Sequence, residues 1–386
     1  MYEKRNGLRI LVVSPWGAEG GYSGPVTLQG RMFGTLVQDH GVDVHLVYRE
    51  RDEETMPNWA AKKTALIKTN NASFSPAFQL LWAARLYAYL LRWSNHYDLI
   101  HFQGAYMPNI LGALSLRAKT AFVLMPVLEN GDLKLSGSPL VRRFKKLIYR
   151  SVVAKASLGL ALSTGISAEL TNLGMPSDRI QTINNIVDVN KFKRSTKSTF
   201  MPQDEIRIGF VGKLNSKKRP DLVLEAIQKL RARGINARGV FVGPFESQVF
   251  ENSFRRSVAA LGVAESVEIT GFVTDPSEYM NDRMDIFVLP SSAEGLPGAL
   301  VEAMSSGLPS IVTDVGGMKK VVVDAEAGII VAQTSDSIVS AILSFQLDPA
   351  QWKRMSKAAR EFASSNFTSE MMANQYIAQI DRLAVI

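Results

Sequence analysis

Glu294 and Glu302 stand in one window, Pro290 to Gly317, which reads PSSAEGLPGALVEAMSSGLPSIVTDVGG. A strand pattern, DIFVLP, runs into a loop holding Glu294 and Gly295, and Pro297 falls where a helix can begin. The pattern predicts a helix from Gly298 to Ser306 with Gly307 as its stop. A strand end, a glycine loop and a helix start present amide N–H groups at the positive end of a helix dipole, which is an anion site. Gly295, Leu296, Pro297, Gly298, Ala299 and Leu300 form that cradle. Carboxylates accept paired hydroxyl donors, so Glu294 ahead of the helix and Glu302 within it suit a polyol ligand: a sugar beyond the phosphates and a ribose. Taken alone, Glu302 reads as an ordinary exposed helix residue.

A second cluster, Lys213, Lys217, Lys218 and Arg219, precedes another helix pattern. Cations at a helix start oppose its dipole unless an anion is bound there. A third segment, Gly17 to Pro25 (GAEGGYSGP), follows the first strand pattern; its Gly20 and Gly21 fit a phosphate-approaching loop or a tight turn. Of the four histidines, His40, His45, His96 and His101, the last is the best imidazole candidate, for the sugar or acceptor side or as a packed core residue. The absence of cysteine excludes a disulfide scaffold, a thiolate zinc site and a cysteine nucleophile. No His-rich or carboxylate-rich cluster of the kind a divalent ion requires is evident, so no metal is expected.

These residues need rigid elements behind them, and 386 residues at 46% apolar and 21% charged supply two domains with real cores. Apolar runs at Leu8 to Ser14, Val42 to Val47, Leu99 to Phe102, Ala121 to Leu124 and Leu158 to Leu162 alternate with helical patterns. The series restarts with Ile206 to Val211, Ala237 to Val242, Val267 to Ile269, Ile286 to Leu289 and Ser310 to Thr313. Such alternation predicts α/β domains with doubly wound parallel sheets. Both periods lapse over residues 190 to 204 (NKFKRSTKSTFMPQD), the expected linker. The expected division is therefore 1–190, 200–365 and 366–386, the last an amphipathic helix around Ser369 to Leu383 that docks back on the first domain.

The window E-G-x-P-x(5)-E-A-x-(small)-x-G-x-P, followed by a strand and Gly-Gly, resembles the signature of the retaining glycosyltransferases of family 4, which have the two-domain GT-B fold. The likeness continues in Ile208 to Ala226 (IGFVGKLNSKKRPDLVLEA), where Lys213 stands at the usual Arg and Lys218 at the usual Lys, and in Ala161 to Phe192. The resemblance implies two Rossmann-like domains facing a cleft, an N-terminal acceptor-side domain and a C-terminal domain for a nucleotide-diphosphate sugar. It implies that Lys213 and Lys218 hold the diphosphate and meet leaving-group charge, Glu294 the donor sugar and Glu302 the ribose. Gly20 and Gly21 approach the donor phosphates or the acceptor. Catalysis is then expected of Lys213, Lys218 and Glu294, with no metal and no cofactor beyond the donor itself. The sequence departs from the pattern after AFVLM, where the usual His is missing and Glu129, Asn130 or Asp132 is the expected substitute; at Gln103, where a second His is frequent; and at Lys320, where Glu is usual.

The formal charge of +8 is concentrated in residues 1 to 190, with 21 Lys/Arg against 14 Asp/Glu. Arg142 to Arg150 (RRFKKLIYR) is an amphipathic basic patch; through Arg142, Arg143, Lys145 and Lys146 it suits an anionic membrane surface. Phe78 to Trp93 reads as a core helix or an interfacial one. No nucleic-acid motif accompanies the charge. With neither a signal peptide nor a span evident, the expectation is a cytoplasmic enzyme, peripheral at the inner membrane face, that transfers sugar to a hydroxyl of a glycan or lipid-linked acceptor in cell-surface polysaccharide or glycolipid biosynthesis. A non-catalytic donor-binding module and a nucleotide-sugar epimerase or phosphorylase of the same fold stay open.

Overall fold

The computed structural model describes residues 7–15, 24–50, 59–68, 75–127, 133, 135, 137–183, 185–193 and 205–384. The chain divides into two compact units, residues 1–186 with 369–386, and residues 187–368.

Unit 1 holds, in order, β1 (Arg9–Ser14), α1 (Gly24–His40), β2 (Asp43–Glu50), β3 (Lys62–Lys68), α2 (Pro76–Trp93), β4 (Leu99–Gln103), α3 (Met107–Ala113), β5 (Phe122–Met125), α4 (Pro139–Val153), β6 (Leu158–Ala161), α5 (Thr164–Asn172) and β7 (Ile180–Thr182). Among the described residues its strands form one sheet in the order β3-β2-β1-β4-β5-β6-β7, all parallel. The central strands are continuous apolar runs because helices cover both faces of a parallel sheet; Ile10 to Val13 and Val123 to Met125 are fully buried. Helix starts are written locally. Ser75 and Ser138 accept from the amides of Phe78 and Val141, each followed by a proline at the first helical position.

Unit 2 continues with β8 (Ile206–Val211), α6 (Pro220–Ala232), β9 (Ala237–Val242), α7 (Gln248–Ala260), β10 (Val267–Gly271), α8 (Ser277–Asp282), β11 (Ile286–Leu289), α9 (Gly298–Ser305), β12 (Ser310–Thr313), α10 (Met318–Asp324), β13 (Gly328–Val331), α11 (Ser335–Leu347) and α12 (Pro349–Asn366). Its sheet has the order β10-β9-β8-β11-β12-β13, again parallel.

The last helix, α13 (Ser369–Ala384), belongs to unit 1 and packs against α1. It contributes Met372, Ala373, Tyr376, Ile377 and Ile380 to that core; burying each large apolar side chain is worth about 1.5–3 kcal/mol. The division falls at Ile186/Val187, ahead of the expected linker. The physical reason is that Val187 and Phe192 are already buried in the core of unit 2. Residues 194–204 of the expected linker lie outside the described residues.

Candidate donor site in unit 2

The winding of the unit 2 sheet reverses between the neighbouring parallel strands β8 and β11. In an open α/β sheet, ligands bind at such a switch point, beyond the carboxyl ends of the strands. The two loops that emerge there are Gly212–Arg219 and Pro290–Pro297, the two segments the sequence singles out.

The loops are tied together. The Ser292 amide and hydroxyl both donate to the Lys217 carbonyl, at 2.7 and 3.1 Å. Within the first loop the Lys218 amide donates to Asn215 Oδ1 at 2.9 Å, which folds the lysine back toward the second loop. Lys218 Nζ is ion-paired with Glu294 Oε1, and the Ser291 hydroxyl donates to the same oxygen at 3.2 Å. The Ser291 carbonyl is held in turn by the Thr313 hydroxyl at 2.6 Å. A third loop, after β12, presses on the second: the Gly317 amide donates to the Gly295 carbonyl at 2.7 Å. Gly316, at φ +55°, leaves no room for a side chain, since a Cβ there would lie 2.2 Å from the Glu294 carbonyl and 2.3 Å from that of Gly295.

α9 starts without a side-chain cap, Pro297 holding the cap position with extended backbone. This corrects the expected cradle. Pro297 has no N–H, and the Leu300 amide is spent on the Pro297 carbonyl at 3.1 Å. In the first turn of α9, the amides of Gly298 and Ala299 are left as outward donors. The helix ends in a Schellman motif: Gly307, at φ +71°, donates to Met304 and Leu308 donates to Ala303, both at 2.9 Å. Glu302 lies midway along α9, half-buried.

Of the other predicted residues, Lys213 stays in the first loop and the rest are dispersed. Lys213 leaves the end of β8 exposed, with no ion-pair partner among the described residues. Arg219 turns aside to Asp221, whose carboxylate it holds through Nε and NH2 at 2.9 and 2.7 Å, so the basic cluster narrows to its lysines. Lys320 pairs with Asp324 on the outer side of α10. His101 sits inside unit 1 on β4, fully buried. Its Nε2 faces Gln103 Oε1 at 3.1 Å and its Nδ1 faces the Tyr376 hydroxyl at 3.0 Å. The proton is therefore on Nε2, and Nδ1 accepts from Tyr376; burial pushes the imidazole pKa down to about 4. Both ring nitrogens are committed to the core, which makes this the packed histidine of the two sequence readings. Gly20, Gly21, Glu129 and Asn130 lie outside the described residues. Asn215, Ser291 and Thr313, which hold the lysine and the carboxylate in place, carry no spacing signal that sequence reasoning uses.

Among the described residues no group of three or more His, Asp or Glu side chains is placed to hold a metal ion. None of their helices is long and apolar enough to cross a membrane.

Solved structures with the same architecture include HepE of Anabaena in complex with UDP and glucose, 18% identical with a TM-score of 0.74 over 97% of this chain and 100% of that one. A sucrose-phosphate synthase from Thermosynechococcus elongatus matches at 19% identity and a TM-score of 0.77 over 98% and 99%. Two Rossmann-like parallel-sheet units with this topology define the GT-B fold. The model of the glycosyl transferases group 1 matches residues 191–362, and that of glycosyltransferase family 4 matches residues 33–191. The chain belongs to the glycosyltransferases of the family 4 type. Among its relatives is WcaL of Salmonella typhimurium, named for glycosyl transfer in colanic acid biosynthesis, at 27% identity over 59% of this chain and 57% of WcaL. The amylovoran biosynthesis glycosyltransferase AmsK of Erwinia amylovora is 25% identical over 74% of this chain and 70% of AmsK. The chain thus spans less than two thirds of the length of WcaL in that match.

Proposed function

We propose that the protein moves a sugar, with retention and without a metal, from a nucleotide-diphosphate sugar to a hydroxyl of a glycan or lipid-linked acceptor in cell-surface polysaccharide or glycolipid synthesis. The observation that carries this reading is the meeting of Lys218, Glu294 and the uncapped start of α9 at the switch point of unit 2. A diphosphate would lie against the Gly298 and Ala299 amides, with Lys218 and Lys213 neutralising its charge. Glu294 accepts from donor-sugar hydroxyls and Glu302 from ribose hydroxyls. The names of WcaL and AmsK, both tied to polysaccharide synthesis, and the UDP bound by HepE favour a transferase over the binding module or the epimerase.

The reaction this implies needs no protein nucleophile. The acceptor oxygen bonds to the anomeric carbon on the face from which the diphosphate leaves; the carbon–phosphate-oxygen bond breaks, and the hydroxyl proton passes to the departing diphosphate. The protein contributes orientation and leaving-group electrostatics. A thermal-shift panel of UDP, GDP and ADP with and without EDTA tests the site, since a ligand at about 100 times its Kd adds ~2.7 kcal/mol of stability. A shift with one diphosphate, insensitive to EDTA, is expected; no shift with any of them would overturn the donor-site reading. Lys218→Ala should lower turnover by about 10²-fold.

The same proposal places unit 1 at an anionic membrane surface. On α4, Leu140, Phe144 and Leu147 are 79%, 63% and 67% exposed, one helical face apart from the exposed Arg142, Arg143, Lys146 and Arg150. α3 is in contact with both α4 and α2, and α2 is apolar on its open side as well, with Leu80, Leu81, Tyr87 and Leu91 exposed. Apolar side chains flanked by cations suit an interfacial helix.

A further inference from the structure

Arg360, on α12, holds two separate pieces of unit 2 at once. Its NH1 donates to the Ser305 carbonyl at 2.6 Å, the Ser305 hydroxyl at 2.9 Å and the Phe192 carbonyl at 2.7 Å, while NH2 donates to the Val189 carbonyl at 2.8 Å. Each of these acceptors is an uncharged oxygen, and burial holds the guanidinium pKa below its ordinary value. Arg360 is part-buried, and its four hydrogen bonds go to uncharged oxygens with no carboxylate among them, so the guanidinium acts as a bridge between two stretches of chain rather than as the partner of a charge. Only a planar fork reaches both pieces in one geometry; an ammonium is a point donor.

The first piece is the lead-in segment Val187–Phe192, by which the chain comes into unit 2. The second is Ser305, the last residue of α9. Around them the same junction is stitched repeatedly. The Ser305 hydroxyl donates to the Phe192 carbonyl at 2.9 Å, Asn281 Nδ2 donates to the Lys191 carbonyl at 2.9 Å, and the Ser356 hydroxyl donates to the Gly307 carbonyl at 2.6 Å. The Val187 amide donates to the Phe367 carbonyl at 2.8 Å, joining the lead-in to the point where the chain leaves the unit. α9 is only 8 residues long, so fixing its carboxyl end fixes the direction of its amino end. At that amino end stand the free Gly298 and Ala299 amides, with Glu302 between the two ends. A cation at the carboxyl end also complements the dipole whose positive end faces the ligand.

We propose that Arg360 is a positioning residue for donor binding: it clamps the foot of α9 to the lead-in segment and so aims the anion-binding end of that helix. The proposal rests on the donor-site reading above. The experiment is titration calorimetry of full-length wild type, Arg360→Met and Arg360→Lys with UDP and with GDP, alongside melting temperatures. The expected result is a Kd for the bound diphosphate raised about tenfold in Arg360→Met and less in Arg360→Lys, by loss of preorganisation rather than of any contact to the ligand. A purely structural arginine would lower the melting temperature and leave the Kd of the folded fraction unchanged, and that result overturns the proposal. Arg360→Lys keeps the charge and the stem, and is the arm to read if the methionine variant does not fold. Wild type that binds neither diphosphate would overturn the donor-site reading and this proposal with it, whereas wild-type binding with an unaltered Kd in both variants would overturn this proposal alone.

Discussion

Lys218 and Glu294 form an ion pair that bridges the loop after β8 and the loop after β11, with their side chains only 18% and 15% exposed. Each is assigned to a different part of the donor, the lysine to the diphosphate and the carboxylate to the sugar. On the proposed function, a whole donor would part the pair and compensate both ends, whereas a diphosphate without a sugar would compensate only the lysine. The pair would then disfavour the spent nucleotide relative to the loaded one.

Glu294→Gln should consequently strengthen binding of inorganic pyrophosphate, which needs no base identity, by about three- to tenfold, the worth of roughly 1 kcal/mol of released charge pairing. The same variant should bind the nucleotide sugar more weakly. Calorimetry on both ligands checks this, and weaker pyrophosphate binding in the variant would show that the carboxylate does not compete for Lys218.

Gly316→Ala should abolish the thermal shift produced by the donor diphosphate, because its Cβ would lie 2.2 Å from the Glu294 carbonyl and push the second loop out of place. Gly234→Ala is the matched control: it too has a positive φ, at +79°, but has open space around it. Both substitutions carry a backbone penalty of about 1 kcal/mol. The Gly316 variant alone should lose the ligand response.

Acid should loosen unit 1 through His101. Its folded pKa of about 4 lies below the ordinary 6.5, so between those values the unfolded chain binds a proton that the folded chain refuses. The stability it contributes is complete above pH 6.5 and is lost as the pH falls toward 4, amounting to at most about 3 kcal/mol. His45 has the same direction and value, burial being the larger cause and Lys62 the second. Melting temperatures from pH 7 to 4.5 should fall for wild type and fall less steeply for His101→Gln. An identical slope in the two would mean that the imidazole is not held neutral.

Reversing Arg142 and Arg143 to Glu should lower partitioning onto vesicles containing anionic lipid by tenfold or more, since each basic residue near such a surface is worth about 1 kcal/mol. Phe144→Asp should act on the apolar half of the same helix. Co-sedimentation with anionic and with zwitterionic vesicles measures both. Wild type that sediments with neither would remove the membrane from the proposal.

Strands buried on both faces were legible from their apolar runs: nothing interrupts Ile286 to Leu289, and Arg207 alone interrupts Ile206 to Val211. The strands that escaped, β3, β7 and β13, all lie at sheet edges: β3 and β7 carry polar residues that break the apolar run, and β13, GIIV, is a run of only four residues, too short for periodicity to assign. β3, for example, opens on the exposed Lys62 and Lys63. The glycine loops and carboxylates of the donor site were readable because helix starts and turns obey local rules. Pairings such as Lys218 with Glu294, or Arg360 with Val189, obey none, since tertiary packing alone brings them together. α2 illustrates the limit of periodicity: it buries Trp82, Ala83, Leu86 and Leu90, as the core-helix reading expects, but leaves a second apolar line exposed, which periodicity alone does not assign to a partner.

The return of α13 to unit 1 sets an order of events during synthesis. Unit 2 is one unbroken stretch of chain inserted into unit 1, and every residue of its core has been made once Thr368 has. Unit 1 waits, because the Tyr376 partner of His101 and the neighbouring Ile377 and Ile380 are translated after all of unit 2. The half of the protein that begins first is thus the last to close, and until then the face of α1 that α13 covers is left without its partner in the nascent chain.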